Sequence, residues 1–301
     1  MTMSISEGRS GDGISEFLEY YIMVILSEGA SAKEKIVEVI QERSSDNTHY
    51  RPGSALRVAD EEIEKTIAAL LRRDSIRRSD DLGSPSTRKE ETYRITGAGK
   101  KALEKANAIK VKTSGSKEKA VEKLTSLLHP HPPEKYVLDV GTGKGYLAFK
   151  LAEAGFKVLG IDSSDFGYSK DSIQKATEKI DGEKNYDVEF RVADVKELAD
   201  MENMFDYVVA SQAVHCMKDQ RGCLEAIYSL LKPGGRFISA DFLIGLRGFF
   251  AHGFHCFLAL SKEEWEQTLM ECGYTDVNLY EVNDYCVVEA QKPVADQRDE
   301  L

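Results

Sequence analysis

The sequence predicts an α/β protein in two parts: a mainly helical domain over 1–112 and, over 113–301, a largely parallel sheet alternating with helices. Three observations lead there. Tyr136 to Val140 is a short, β-branched apolar run of the kind a doubly covered strand needs, and it leads into Asp139-Val-Gly141-Thr-Gly143-Lys-Gly145. Downstream, strand-like and helix-like segments alternate to the end of the chain. Upstream the periodicity is helical. Basic and acidic residues balance there at 19 each, so the whole net charge of −11 falls on the second part.

With 42% hydrophobic and 30% charged residues, the 301-residue chain has the composition of a soluble globular protein. Its longest apolar run, Phe17 to Leu26, is broken by Glu19 and predicts a core helix, neither a signal peptide nor an anchor, so no membrane partner is expected. The five cysteines are odd in number, lack framework spacing and all lie beyond residue 215, which argues for a reducing cytoplasm. An acidic second part is a poor host for nucleic acid.

In chain order, residues 1–13 are Ser/Gly-rich and expected to be mobile. A first helix carries Phe17, Tyr21, Val24 and Ile25, a second Ile36, Val37 and Ile40, and a third, from about Asp60 to Arg73, puts Ile63, Ile67, Leu70 and Leu71 on one face. Ser75–Arg78 and Glu91–Ile95 bracket a polar turn at Asp81–Pro85, and Thr96-Gly-Ala-Gly99 opens a further helix. Three helices, a two-stranded wing and the closing TYRITGAGKKAL segment resemble winged-helix domains, the last segment looking like those of PadR-type regulators. The third helix, which would enter the major groove, begins Asp60-Glu61-Glu62-Ile63-Glu64, and carboxylates there would face phosphates. DNA contact through Arg72, Arg73, Arg77, Arg78, Arg88 and Lys89 is therefore disfavoured, though left open.

The joint falls near Thr113–Ser116. In the second part, glycines at alternate positions of the turn allow a tight reversal and close approach of a ligand to the main chain. A dinucleotide turn requires G-x-G-x-x-G, but the expected third glycine position holds Tyr146. Further strands are predicted at Lys157–Ile161 with Asp162, at Val188–Val192 leading to Asp194, at Phe205–Ala210 ending on Ser211, and at Arg236–Phe242 after the turn Lys232–Gly235. Helices near Asp171–Ile180, Cys223–Leu231 and Trp265–Cys272, and a hairpin of Asp276–Val282 with Cys286–Ala290, complete it.

The stretch Asp139-Val-Gly141-Thr-Gly143-Lys-Gly145 resembles the first motif, (D/E)-x-G-x-G-x-G, of class I S-adenosylmethionine (SAM) methyltransferases, and Leu230-Leu-Lys-Pro-Gly-Gly235 resembles that family's LLKPGG turn. The resemblance implies a Rossmann-like seven-stranded sheet over 117–292 with SAM as cofactor. It implies that Asp139, Gly141, Thr142, Gly143 and Gly145 hold the amino-acid side of SAM, that Asp162 with Ser163 takes the ribose hydroxyls, and that Asp194 and the Val195 amide face the adenine. Ser211 closes the set at the end of the fourth strand. Winged-helix domains also precede the catalytic domain in plant-type small-molecule O-methyltransferases, as dimerisation and lid domains.

Ser211-Gln-Ala-Val-His215-Cys216 is not the Asn/Asp-Pro-Pro-Tyr/Phe of nucleobase N-methylating relatives. In this fold the insertion Asp241–Leu260, with Phe249, Phe250, Phe254 and Phe257, would cover the acceptor pocket. His252 or His255 is the expected base, three residues apart and on one face if helical, with His215 as a third candidate or as their orienting partner. The spacing H-x-x-H-C is not a zinc pattern, and no metal is assigned. The sequence therefore predicts a SAM-dependent methyltransferase acting on a small, partly apolar molecule. The alternative is a winged-helix transcriptional regulator that uses the SAM fold as a ligand sensor. A homodimer through the N-terminal domain is expected, because Phe17, Leu18, Tyr21, Ile22 and Ile25 are too many for one narrow buried stripe and the acidic third helix offers no DNA role.

Overall fold

A computed structural model describes residues 3–4, 12–29, 31–45, 56–78, 92–108, 115–128, 135–163, 169–180 and 186–294. The chain divides into two compact units, Met1–Ser114 with Ile244–Leu258, and Gly115–Leu243 with Ala259–Leu301. The aromatic insertion thus groups with the N-terminal unit.

That unit begins with β1 (Met3–Ser4), α1 (Asp12–Ser27), β2 (Ser31–Ala32), α2 (Lys33–Ser45) and β3 (Leu56–Arg57), followed by α3 (Asp60–Arg72), β4 (Ile76–Arg78), β5 (Thr92–Ile95) and α4 (Gly97–Asn107). Within the Ser/Gly-rich stretch 1–13, Met3 and Ser4 pair in parallel with Leu56 and Arg57. Strand β5 pairs antiparallel with both β2 and β4, giving a three-stranded sheet in the order β2-β5-β4. The turn expected at Asp81–Pro85 and the basic pair Arg88 and Lys89 lie outside the described residues. Thr96 caps α4 by accepting from the Gly99 amide at 3.1 Å. The helical periodicity does what it predicts, burying Ile63, Ile67 and Leu70 of α3 and Ile36 and Ile40 of α2.

The second unit runs α5 (Ser116–Ser126), β6 (Tyr136–Val140), α6 (Tyr146–Glu153), β7 (Lys157–Asp162), α7 (Ser169–Glu178), β8 (Val188–Val192), β9 (Phe205–Ser211), α8 (Gln220–Leu230) and β10 (Leu231–Phe242). The insertion forms α9 (Leu246–His252) and a 3₁₀ helix, Gly253–Leu258. Then come α10 (Lys262–Glu271), β11 (Thr275–Val282) and β12 (Tyr285–Gln291). The seven strands form one sheet in the order β11-β12-β10-β9-β6-β7-β8. Strands β8, β7, β6, β9 and β10 are mutually parallel, and β12 runs antiparallel to β10 and β11. Runs such as Val137–Val140 and Val158–Asp162 are buried residue after residue, as strands covered on both faces must be. The expected turn at Lys232–Gly235 lies inside β10 as an irregularity, where the register to β9 shifts between Leu231 and Arg236.

The order of strands reverses between β6 and β9. From β6 the chain builds outward through β7 and β8, then returns to the other side of β6 with β9 and β10. In an open parallel sheet the two neighbouring connections leave in opposite directions at that point, opening a crevice beyond the carboxyl ends of the strands.

The surplus apolar residues of α1 find a partner within their own unit. Phe17, fully buried, sits 4.5 Å from Phe249 and 4.8 Å from Phe257 between ring centroids, and Tyr20 meets Phe250 edge-on at 4.9 Å. The insertion covers the second face of α1, so the count of apolar residues on that helix is no longer a reason for a dimer.

Candidate functional site

The crevice is walled by the turn that follows β6. Gly141, Gly143 and Gly145 all have positive φ, at 71°, 54° and 79°. The amides of Gly141 and Thr142 both donate to the Ile161 carbonyl at 2.9 Å, and the Gly145 amide donates to Thr142 O at 2.9 Å. These bonds tie the turn to the end of β7. A Cβ on Gly141 would lie 2.4 Å from the Cβ of Ala213, two residues beyond β9, so the turn and the exit from β9 are in close apposition. A Cβ on Gly143 would meet nothing within 4 Å. One glycine serves protein packing, and the other faces open space.

Asp139 is almost wholly buried, accepting from Thr142 Oγ1 at 2.7 Å and from the Ala148 amide in α6. Burial pushes its acid up to about 7, against the pull of those two bonds, and the nearby Asp162 carboxylate adds to the rise. A carboxyl with a raised folded pKa stabilises the fold while protonated, and that contribution fades as pH climbs from about 4 to about 7. Asp139→Asn should therefore gain melting temperature relative to the parent between pH 5 and pH 8. A difference that is flat across this range would show that the buried carboxyl does not titrate there.

Asp162 ends β7 with 8% exposure, and its Oδ2 accepts from the Gly143 amide at 3.1 Å. This bond joins the second strand's carboxylate to a glycine of the turn whose Cβ position meets nothing within 4 Å among the described residues. Ser163 follows, half-buried. Asp194 caps the short 3₁₀ helix Val195–Glu197: its Oδ1 accepts from the Lys196 amide, while Glu197 Oε2 accepts from the Asp194 amide, both at 2.9 Å. That reciprocal box fixes the loop after β8 and buries Val195. Ser211 ends β9, whose neighbour Ala210 pairs with Val140 of β6. The residues expected to hold the cofactor all belong to the second unit, and all stand at carboxyl ends of its parallel strands.

Gln212, Asp241 and Tyr285 are absent from the sequence-based set of site residues. Gln212 has φ of 56°, unusual for a residue with a side chain, and its Nε2 donates to the Tyr285 hydroxyl. Asp241, 1% exposed on β10, accepts from the His215 amide at 2.9 Å and from the Phe242 amide at 2.8 Å, and meets His215 Nδ1 at 2.7 Å. Burial alone would lower the His215 pKa, but the Asp241 charge and hydrogen bond override it and raise it to about 10. The Asp241 carboxylate thus favours the protonated ring. A buried acid in the otherwise apolar FISADF strand was the signal in the sequence.

His252 and His255 lie in the N-terminal unit. They do not share a helical face: α9 stops at His252, and Gly253, with φ 61° and ψ −148°, turns the chain into the 3₁₀ helix that carries His255. The glycine breaks the helix because its backbone conformation closes the α-helical ladder. The side chain of His255 lies outside the described residues, and His252 is half-buried. No group of three or more His, Cys, Asp or Glu among the described residues is arranged to hold a metal.

Residues 132–274 match the family model of a methyltransferase domain. The chain carries a class I SAM-dependent methyltransferase domain. A chloroplastic methyltransferase of Arabidopsis thaliana is 26% identical over 168 residues, 52% of this chain and 47% of its own length. The ubiquinone biosynthesis O-methyltransferase of Acinetobacter baylyi is 28% identical over 145 residues, 42% of this chain and 59% of its own. The chain thus spans about half the length of the curated relatives it matches. Among solved structures, the CurJ carbon methyltransferase has a TM-score of 0.51 at 13% identity, covering 93% of this chain and 91% of that one, a likeness of fold. None of the described helices is long and apolar enough to cross a membrane.

Proposed function

We propose that the protein transfers the methyl group of SAM to a small, partly apolar acceptor. The observation that carries this reading is the bond from the Gly143 amide to Asp162 at the strand-order reversal, beside a backbone position left open toward the crevice. The donor set suits SAM. A buried carboxylate at the end of β7 matches a pair of ribose hydroxyls, and a side-chain-free amide at Gly143 admits close approach. Asp162 with Ser163 would hold the ribose, Gly141, Thr142, Gly143 and Gly145 the turn beneath the amino-acid portion, Asp194 and Val195 the adenine, and Ser211 the rim. Asp139 braces the turn through Thr142 and Ala148.

Bound SAM supplies a methyl group on a sulfonium, already a good leaving group. The chain's own task is then to orient acceptor and donor, which can supply effective molarities of about 10⁵ M or more. Calorimetric titration with SAM and with its demethylated product, followed by transfer of labelled methyl to a metabolite pool, tests the reading. Binding of neither would end it.

The Asp241 charge and hydrogen bond at Nδ1 raise the His215 pKa, which suits it better to donating than to taking a proton. His252 and His255 are the other base candidates the sequence offers. Replacing the base by Gln should lower turnover about 10²-fold or more while leaving SAM affinity unchanged. Full turnover in both single variants would mean that positioning alone does the work.

For the N-terminal unit, the helices with the β2-β5-β4 ladder support a winged-helix reading. Exposed Asp60, Glu61 and Glu64 at the start of α3 are a poor surface for phosphates, which favours an assembly role over DNA binding. A monomer in light scattering of the full chain would remove the homodimer.

A further inference from the structure

We propose that Cys216 is a nucleophilic thiol site, set up by His215 and Asp241 to exchange with small disulfides, a chemistry that methyl transfer does not require. Three side chains stand in line. Asp241 Oδ1 is 2.7 Å from His215 Nδ1, and His215 Nε2 is 3.1 Å from Cys216 Sγ. The carboxylate cannot swing away, because it also accepts from the amides of His215 and Phe242, and the Phe242 ring packs on the imidazole at 4.4 Å between centroids. A nucleophile within reach of a ring nitrogen, with the ring oriented from behind by a third group, is the arrangement by which folds activate thiols.

The surroundings point the same way. The Asp241 charge and hydrogen bond raise the His215 pKa, and an imidazole held this way beside a sulfur is the setting in which folds generate nucleophilic thiols. Cys216 is half-buried and so within reach of a small reagent.

The other four cysteines lack this arrangement. Cys223 and Cys286 are buried, and desolvation pushes their thiols up to about 11 and about 12. Burial also raises Cys256 and, at the end of α10, Cys272. Cys272 is half-buried like Cys216 and serves as an internal comparator.

In the exchange, the Cys216 thiolate attacks one sulfur of the disulfide. A new sulfur–sulfur bond forms as the old one breaks, and the departing sulfur leaves with the electron pair and takes a proton from solvent. Cys216 is oxidised, one half of the small disulfide is reduced, and excess small thiol reverses the step. Asp241 acts only through His215 and is a positioning residue.

The test treats the full chain with 4,4′-dithiodipyridine at about pH 6, where an ordinary thiol is under about 1% ionised, and follows each cysteine by peptide mass spectrometry. Cys216 should react at least about tenfold faster than Cys272, because an imidazole stands 3.1 Å from its sulfur while burial raises the Cys272 thiol. The difference should vanish in guanidinium. His215→Gln, checked by circular dichroism, should bring Cys216 to within about threefold of Cys272. Equal or slower reaction of Cys216 in the folded parent overturns the proposal, as does a folded His215→Gln variant that keeps the parent's rate. If that variant does not fold, the comparison of Cys216 with Cys272 in the parent decides alone.

Discussion

Asp162→Ala is expected to weaken SAM binding by about 30- to 150-fold, about 2–3 kcal/mol, with the fold retained. Two losses combine in that figure. The substitution removes the carboxylate that matches the ribose hydroxyls, and it frees the Gly143 amide now held at 3.1 Å. Asp162→Asn separates them, since its amide oxygen still accepts from Gly143 but carries no charge, so its loss should fall between parent and alanine variant. Calorimetric titration of all three proteins, each checked by circular dichroism, is the measurement. Superimposable curves for parent and Asp162→Ala would withdraw Asp162 from the cofactor site.

Most of the framework of the candidate site was legible because its determinants are local. A strand followed by alternate glycines, and carboxylates at strand ends, are short-range patterns, and the βα order then sets the ends of β6, β7, β8 and β9 side by side. What stayed hidden depends on pairing across the sheet. Asp241 reaches His215 from 26 residues away because β10 lies beside β9, and Tyr285 reaches Gln212 across 73 residues through the closing hairpin. No periodicity announces such a pair.

The partner of the apolar surplus on α1 was out of reach of the sequence for the same reason. Its partners, Phe249 and Phe257, come from a segment more than 200 residues downstream, and a sequence pattern shows that a face must be covered without showing by what. The break between His252 and His255 was legible in principle, since Gly253 stands between them, but the same glycine would also be tolerated inside a helix.

Two glycines of one turn should respond to the same mutation in opposite ways. Gly141→Ala places a Cβ 2.4 Å from the Cβ of Ala213 at a φ of 71°. Left-handed backbone strain of about 1–2 kcal/mol adds to an overpacking cost of about 1–3 kcal/mol, so stability should fall by roughly 2–5 kcal/mol and the melting temperature by about 5 °C or more. Gly143→Ala carries the strain alone, at a φ of 54°, because nothing among the described residues stands within 4 Å of the new carbon. Its melting temperature should drop by no more than about half as much. Its effect should appear in binding instead: the added carbon occupies the space a ligand needs to approach the main chain, and SAM affinity should fall at least about tenfold, further in Gly143→Val. Scanning calorimetry on the unliganded proteins, with titration of the variants that fold, reads both axes. Were Gly143→Ala to bind SAM like the parent, the open side of this turn would face solvent rather than cofactor, and the cofactor's path would lie along some other edge of the crevice.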